Sequence, residues 1–266
     1  MADEFVVRPL SGSIGAAITG VDLNNLSQDQ FAALHEAFLE NCMLVFPGQF
    51  LLIEAFARFS ALWGDPVTTH FLEYLNGHVG VSKLFNRGKG GTVTENWHSD
   101  TPFLKQPPSI NFLSAIEVPL GGDTMWSNQY LAYESLSPGL QQMLSGLKIE
   151  YNGGSLAGLS GSREEMRHSH PVVRTHPETG RKSLFVGAPN RTARRFDGMT
   201  EAESFPLIQW LHHHSSQPDR VYRHQWRKGD VVMWDNRCTM HYAVHDYGDT
   251  ATRELYRITT RAETPA

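Results

Sequence analysis

The chain predicts a mainly β fold with flanking helices, of the sandwich or jelly-roll kind. Two observations carry this. Four short apolar runs at 221–226, 230–234, 239–245 and 254–260 follow one another across turn signals. Two more, at 171–174 and 183–186, bracket the turn Pro177-Glu178-Thr179-Gly180. Strands at such spacing favour a sandwich or jelly roll over a βαβ sheet. The 266 residues fit one all-β domain with insertions, so 1–266 is read as a single domain.

The elements follow in order. Ser27 and Gln30 make a capping box for a helix over 27–41, with Phe31, Leu34, Phe38 and Leu39 on one face. The run 42–46, ended by Pro47-Gly48, predicts a buried strand. Phe56, Phe59 and Trp63 at helical spacing predict a helix over 54–63, stopped by Gly64-Asp65-Pro66. Ser137-Pro138 is a cap and first-turn pair for a short helix to Leu144. Thr200 with Glu203 opens another, which carries Leu207, Trp210 and Leu211 and has Pro206 inside it. The Gly- and Ser-rich stretch 153–168 reads equally as a mobile lid or as a plain surface insertion.

Composition excludes several classes. With 40% hydrophobic and 19% charged residues, the chain is globular and not disordered. A net charge of −5 argues against a nucleic-acid partner. No apolar run approaches the length of a membrane span. Residues 1–8 carry Asp3 and Glu4 and do not read as a signal peptide, so the expected location is cytoplasmic. Cys42 and Cys238 lie far apart and read as reduced thiols.

The chemistry concentrates in a few places. His98 and Asp100 are two apart, so in a strand both project from one face and offer one nitrogen and one oxygen to a single ion. Two His and one carboxylate with positions left open suit non-haem Fe(II). By spacing alone, His241 and His245 are equal candidates for the third ligand. Near the C-terminus Arg253, Leu255 and Arg257 share a face. If that face looks inward, the two guanidinium groups need anionic partners, and small carboxylate ligands serve. An edge strand with both arginines in solvent is the plainer alternative. His168 and His170 form a second possible pair without a clear third ligand, and His212-His213-His214 reads as a solvated helix end.

Taken together and in order, residues 96–103, 121–126, 170–173, 185–186, 234–236, His241 and 253–257 resemble the taurine dioxygenase and 2,4-dichlorophenoxyacetate dioxygenase family of Fe(II)- and 2-oxoglutarate-dependent oxygenases. Residues 15–23 resemble it too, so the likeness covers almost the whole chain. It implies a double-stranded β-helix, a jelly-roll type, and a dioxygenase that hydroxylates a small anionic organic substrate. Sulfonates, sulfate esters and aryloxy acids are the classes implied, with succinate and CO2 as products. His98, Asp100 and His241 match the metal ligands, which selects His241 over His245. Arg253 and Thr124 match the groups that anchor the far carboxylate of 2-oxoglutarate. Arg257 matches a substrate-anion arginine, and His70 a histidine near the substrate. The implied cofactors are Fe(II), 2-oxoglutarate and O2, and the enzyme is expected to be a homo-oligomer. Residues 92–95, 71–72 and 187–191 depart from the pattern that holds taurine, which implies a different anion with a more apolar body. A metal-dependent hydrolase using the same ligands and a non-catalytic anion-binding jelly roll are the alternatives.

Overall fold

The structure is a computed structural model and describes residues 5–69, 72–87, 94–154, 166–248 and 250–266. In chain order the elements are β1 (Val6–Pro9), β2 (Ala16–Thr19), α1 (Gln28–Asn41), β3 (Met43–Phe46), α2 (Ile53–Ala61), β4 (Ser82–Arg87), β5 (Pro108–Glu117), β6 (Thr124–Asn128), α3 (Gln129–Glu134), α4 (Pro138–Leu144), β7 (Lys148–Asn152), β8 (Arg167–Pro171), β9 (Val173–Thr175), β10 (Lys182–Leu184), β11 (Ala193–Phe196), α5 (Glu201–Ser215), β12 (Val221–His224), β13 (Val231–Asp235), β14 (Thr239–Ala243) and β15 (Thr252–Ala262).

A seven-stranded sheet in the order β1-β2-β3-β13-β5-β15-β4 faces a three-stranded sheet, β12-β6-β14. The central strands of the large sheet are buried on both faces. Leu44, Phe46, Phe112, Met233 and Ile258 pack against Phe38 of α1 and Phe56 and Phe59 of α2. Their sequence neighbours Met43, Val45, Leu113, Val232 and Trp234, together with Leu255, point the other way, toward Trp126, Tyr130 and Trp226. This two-sided burial is the jelly-roll core, and it explains why β5 is not evident from sequence. Its first eight residues are all buried, so the polar–apolar alternation of Ser109–Phe112 is not sustained from Leu113 onward.

Local chemistry sets the helix starts. The Ser27–Gln30 and Thr200–Glu203 capping boxes both form, and Ser137 caps α4. Cys42 belongs to the end of α1 and not to the strand: it sits at φ 63° and donates its N–H to the Phe38 carbonyl. The helix expected over 54–63 spans Ile53–Ala61. β15 lies between β5 and β4, so the edge-strand alternative for its arginines falls away. Most of the proposed lid, 155–165, lies outside the described residues. No described helix is long and apolar enough to cross a membrane.

Candidate active site

A cavity of about 340 Å³ opens between the two sheets. Leu84, Leu113, Trp234, Arg253 and Arg257 reach it from the large sheet, and Thr124, His241 and Ala243 from the small one. His98, Asp100 and Thr101 close it from the loop before β5.

The His98 and Asp100 pairing does not come from strand alternation. Residues 94–100 are irregular apart from one isolated bridge, in which His98 and His241 exchange backbone hydrogen bonds of 3.0 and 2.8 Å. That bridge sets the two imidazoles beside each other, ring centroids 4.1 Å apart. Asp100 Oδ1 then lies 3.8 Å from Nε2 of each. These separations are too long for hydrogen bonds, and the three side chains are the one such metal-competent cluster among the described residues.

The protonation states suit a cation. Burial pushes the His98 imidazole below its usual range and His241 down to about 3, so both rings are neutral near pH 7. His98 Nδ1–H donates to the Asn96 carbonyl at 2.7 Å, which leaves the Nε2 lone pair for the centre. Burial works to raise the Asp100 carboxyl. The Arg257 guanidinium, 2.9 Å from Oδ2, overrides it and holds the carboxyl well below the ordinary carboxylate range. Two neutral nitrogens and one anionic oxygen with an open cavity beside them fit a divalent non-haem iron.

The other end of the cavity is built around Arg253, which is 4% exposed. Its Nε donates to the Gly122 carbonyl at 2.9 Å and its Nη2 to Thr124 Oγ1 at 3.3 Å. No carboxylate among the described residues pairs with it. Thr124 Oγ1 also accepts Trp226 Nε1–H at 2.9 Å. With both lone pairs taken, the Thr124 hydroxyl proton is left to donate elsewhere. Gly122 is required here: at φ 71° a Cβ would stand 3.0 Å from Arg253 Cδ and from the Tyr247 ring.

The remaining candidates separate cleanly. His70 lies outside the described residues. His245 is not at the centre; its Nδ1 pairs with Glu95 at 2.7 Å. The 212–214 tract is not simply solvated: His212 donates to the Trp97 carbonyl and His214 to the Ala132 carbonyl, each at 2.9 Å. Sequence reasoning placed Trp226 only in a strand, and it noted Asn96, Gly122 and Asn236 only as parts of motifs. The Gly121-Gly122 pair beside Thr124 was the one local signal available.

Comparison with known proteins agrees with this geometry. Residues 7–259 match the model of the family described as taurine catabolism dioxygenase TauD, TfdA family. An alkylsulfatase of Acinetobacter baylyi is 34% identical, covering 98% of this chain and 86% of that protein. The alpha-ketoglutarate-dependent 2,4-dichlorophenoxyacetate dioxygenase of Cupriavidus pinatubonensis is 34% identical over 96% of this chain and 97% of its own. A crystal structure of a taurine dioxygenase from Burkholderia xenovorans superposes with a TM-score of 0.87 at 34% identity, covering 98% and 92% of the two chains. AAD-2 in complex with Mn(II) and N-oxalylglycine gives a TM-score of 0.84 at 28% identity, covering 98% and 99%. The chain therefore belongs to the TauD/TfdA family of dioxygenases.

Proposed function

We propose that the protein is an Fe(II)- and 2-oxoglutarate-dependent dioxygenase that hydroxylates a small anionic organic substrate with an apolar body. His98, Asp100 and His241 hold the iron. When bound, Fe(II) with 2-oxoglutarate and O2 supplies the oxidising power for an unactivated C–H bond, and succinate and CO2 are released.

The chain's own residues do the rest. Arg253 and the free Thr124 proton receive the far carboxylate of 2-oxoglutarate. This buried guanidinium, without a carboxylate partner among the described residues and in one cavity with the His-Asp-His cluster, is the observation that carries the reading. Arg257 keeps Asp100 ionised, engages its Oδ2 and so leaves Oδ1 for the ion. From the same position it attracts the substrate's anionic group. Leu72, Leu84, Pro102, Phe103 and Leu113 give the cavity a mostly apolar wall, which excludes water and receives the substrate's body. Sulfate esters, sulfonates and aryloxy acids match this division. Where the hydroxylated carbon bears the ester or ether oxygen, the product breaks at that bond.

A hydrolase built on the same three ligands has no use for the Arg253 and Thr124 end. The test is spectroscopic first. Anaerobic Fe(II) plus 2-oxoglutarate should give a weak visible charge-transfer band, and a colourless mixture at saturating ligand removes the reading. A succinate-release screen across sulfate esters, sulfonates and aryloxy acids then identifies the substrate. Turnover that persists without O2 favours the hydrolase instead.

A further inference from the structure

Asn236 does not line the cavity, yet it grips the residue proposed to supply the carboxylate ligand. It is 1% exposed. Its Oδ1 accepts the Asp100 backbone N–H at 2.8 Å. Its Nδ2 donates to the Asp100 carbonyl at 3.2 Å and to the Pro108 carbonyl at 2.9 Å. These bonds use both donors and the acceptor, and reversing the amide would set N–H against N–H, so its orientation is determined.

What it grips is a strained corner. Thr101, the next residue, has φ 45°. That left-handed conformation is an outlier for a β-branched residue. The Thr101 hydroxyl is also buried, with no hydrogen-bond partner among the described residues. Such a conformation persists only where the surroundings over-determine it.

The turn that carries Asn236 is itself locked. Asp235 accepts from Arg237 through Nε at 2.8 Å and Nη2 at 2.7 Å, and from His176 Nε2 at 3.0 Å. Arg237 Nη1 reaches Glu178 at 2.6 Å. The Asn236 N–H donates to the Ser109 carbonyl at 2.8 Å, so the turn is pinned to the start of β5 as well.

We infer that Asn236 is a positioning residue of the metal centre: it holds the Asp100–Thr101 corner in its strained form, so that the Asp100 carboxylate faces His98 and His241. This rests on the reading of the centre as a metal site. Loss of a group that orients a metal ligand typically weakens metal binding by about 10- to 100-fold.

The experiment is a titration of the full-length protein with Mn(II) alone, followed by the electron paramagnetic resonance signal of the free ion. Asn236→Ala should raise the Mn(II) dissociation constant by about 10- to 100-fold. With metal saturating, its 2-oxoglutarate affinity should stay within about twofold, because the Arg253 end is untouched. Asn236→Ser, which keeps a small neutral polar group in the site but is too short to bridge the Asp100 backbone, should lose a similar amount and covers the case in which the alanine variant fails to fold. Thr101→Gly removes the strain that the amide opposes. In that background Asn236→Ala should cost no more than about threefold, a non-additivity expected of coupled sites.

A lower melting temperature with unchanged Mn(II) affinity in both Asn236 variants would make Asn236 an ordinary core amide and overturn the inference. Equal losses in the Thr101 and T101G backgrounds overturn it too. A wild-type protein that binds no Mn(II) removes the metal reading itself and this inference with it.

Discussion

Two pairs of histidines in this molecule look alike and do different things. His98 and His241 stand with ring centroids 4.1 Å apart, His168 and His170 with theirs 4.7 Å apart. Burial lowers the titration of all four, His241 to about 3 and His170 to about 4. The difference lies in what the nitrogens face. His98 spends Nδ1 on a carbonyl and keeps Nε2 toward Asp100 Oδ1, which stands equally far from both rings. His170 spends Nε2 on the Leu104 carbonyl at 2.8 Å, and its ring packs against Tyr151 and Phe185. Imidazole density does not make a site. A third, anionic donor within common reach of unclaimed lone pairs does.

The sharpest way to break that comparison is His98→Ala. It should abolish succinate formation, while His170→Phe keeps it, as a coupled succinate assay reads directly. Wild-type turnover in the His98 variant would erase the distinction.

Next in size comes the arginine beyond the first pair. Arg253→Gln should weaken 2-oxoglutarate by about 2–5 kcal/mol, because it removes a buried charged partner. Titrating the charge-transfer band measures this. Arg257→Gln should leave most of that affinity in place, since Arg257 is already engaged by Asp100. If the two variants behave in reverse, the two ends of the cavity have been assigned the wrong way round.

The second pair makes its own, smaller prediction. A His whose folded pKa is lowered is held neutral by the fold, and the unfolded chain takes up its proton first. Stability from His170 is therefore complete above about pH 6.5, falls with pH, and is fully lost below about pH 4, a loss of about 3 kcal/mol. Urea unfolding at pH 7 and pH 4 should show His170→Phe losing less stability than wild type by about that amount. An identical acid response in the two proteins would show that burial does not control this imidazole.

Parts of the molecule obey local rules and were legible as such. Ser27 with Gln30 and Thr200 with Glu203 stop the backbone from fraying wherever they occur, so their helices begin as expected. The sharing of one face by Arg253 and Arg257 also survived, although the register slips between Glu254 and Leu255, because both side chains line the same cavity. β5 was not read as a strand, because burial on both faces cuts its alternation short after Ser109–Phe112. Nor was the irregular loop that carries His98 and Asp100, which meets His241 of β14 through an isolated bridge and forms no regular strand of its own.

By itself, the order of residue types along the chain determined the chemistry available: two imidazoles, one carboxylate and two arginines on a β framework, and with them the family. Only the tertiary structure decided which groups are claimed and which are left open. Asn236 reaches Asp100 across 136 positions, and Arg257 reaches it across 157. Trp226 takes a lone pair of Thr124 from 102 positions away. Hydrogen bonding and burial depend on what the packed sheets bring together, and no pattern confined to neighbouring residues contains that.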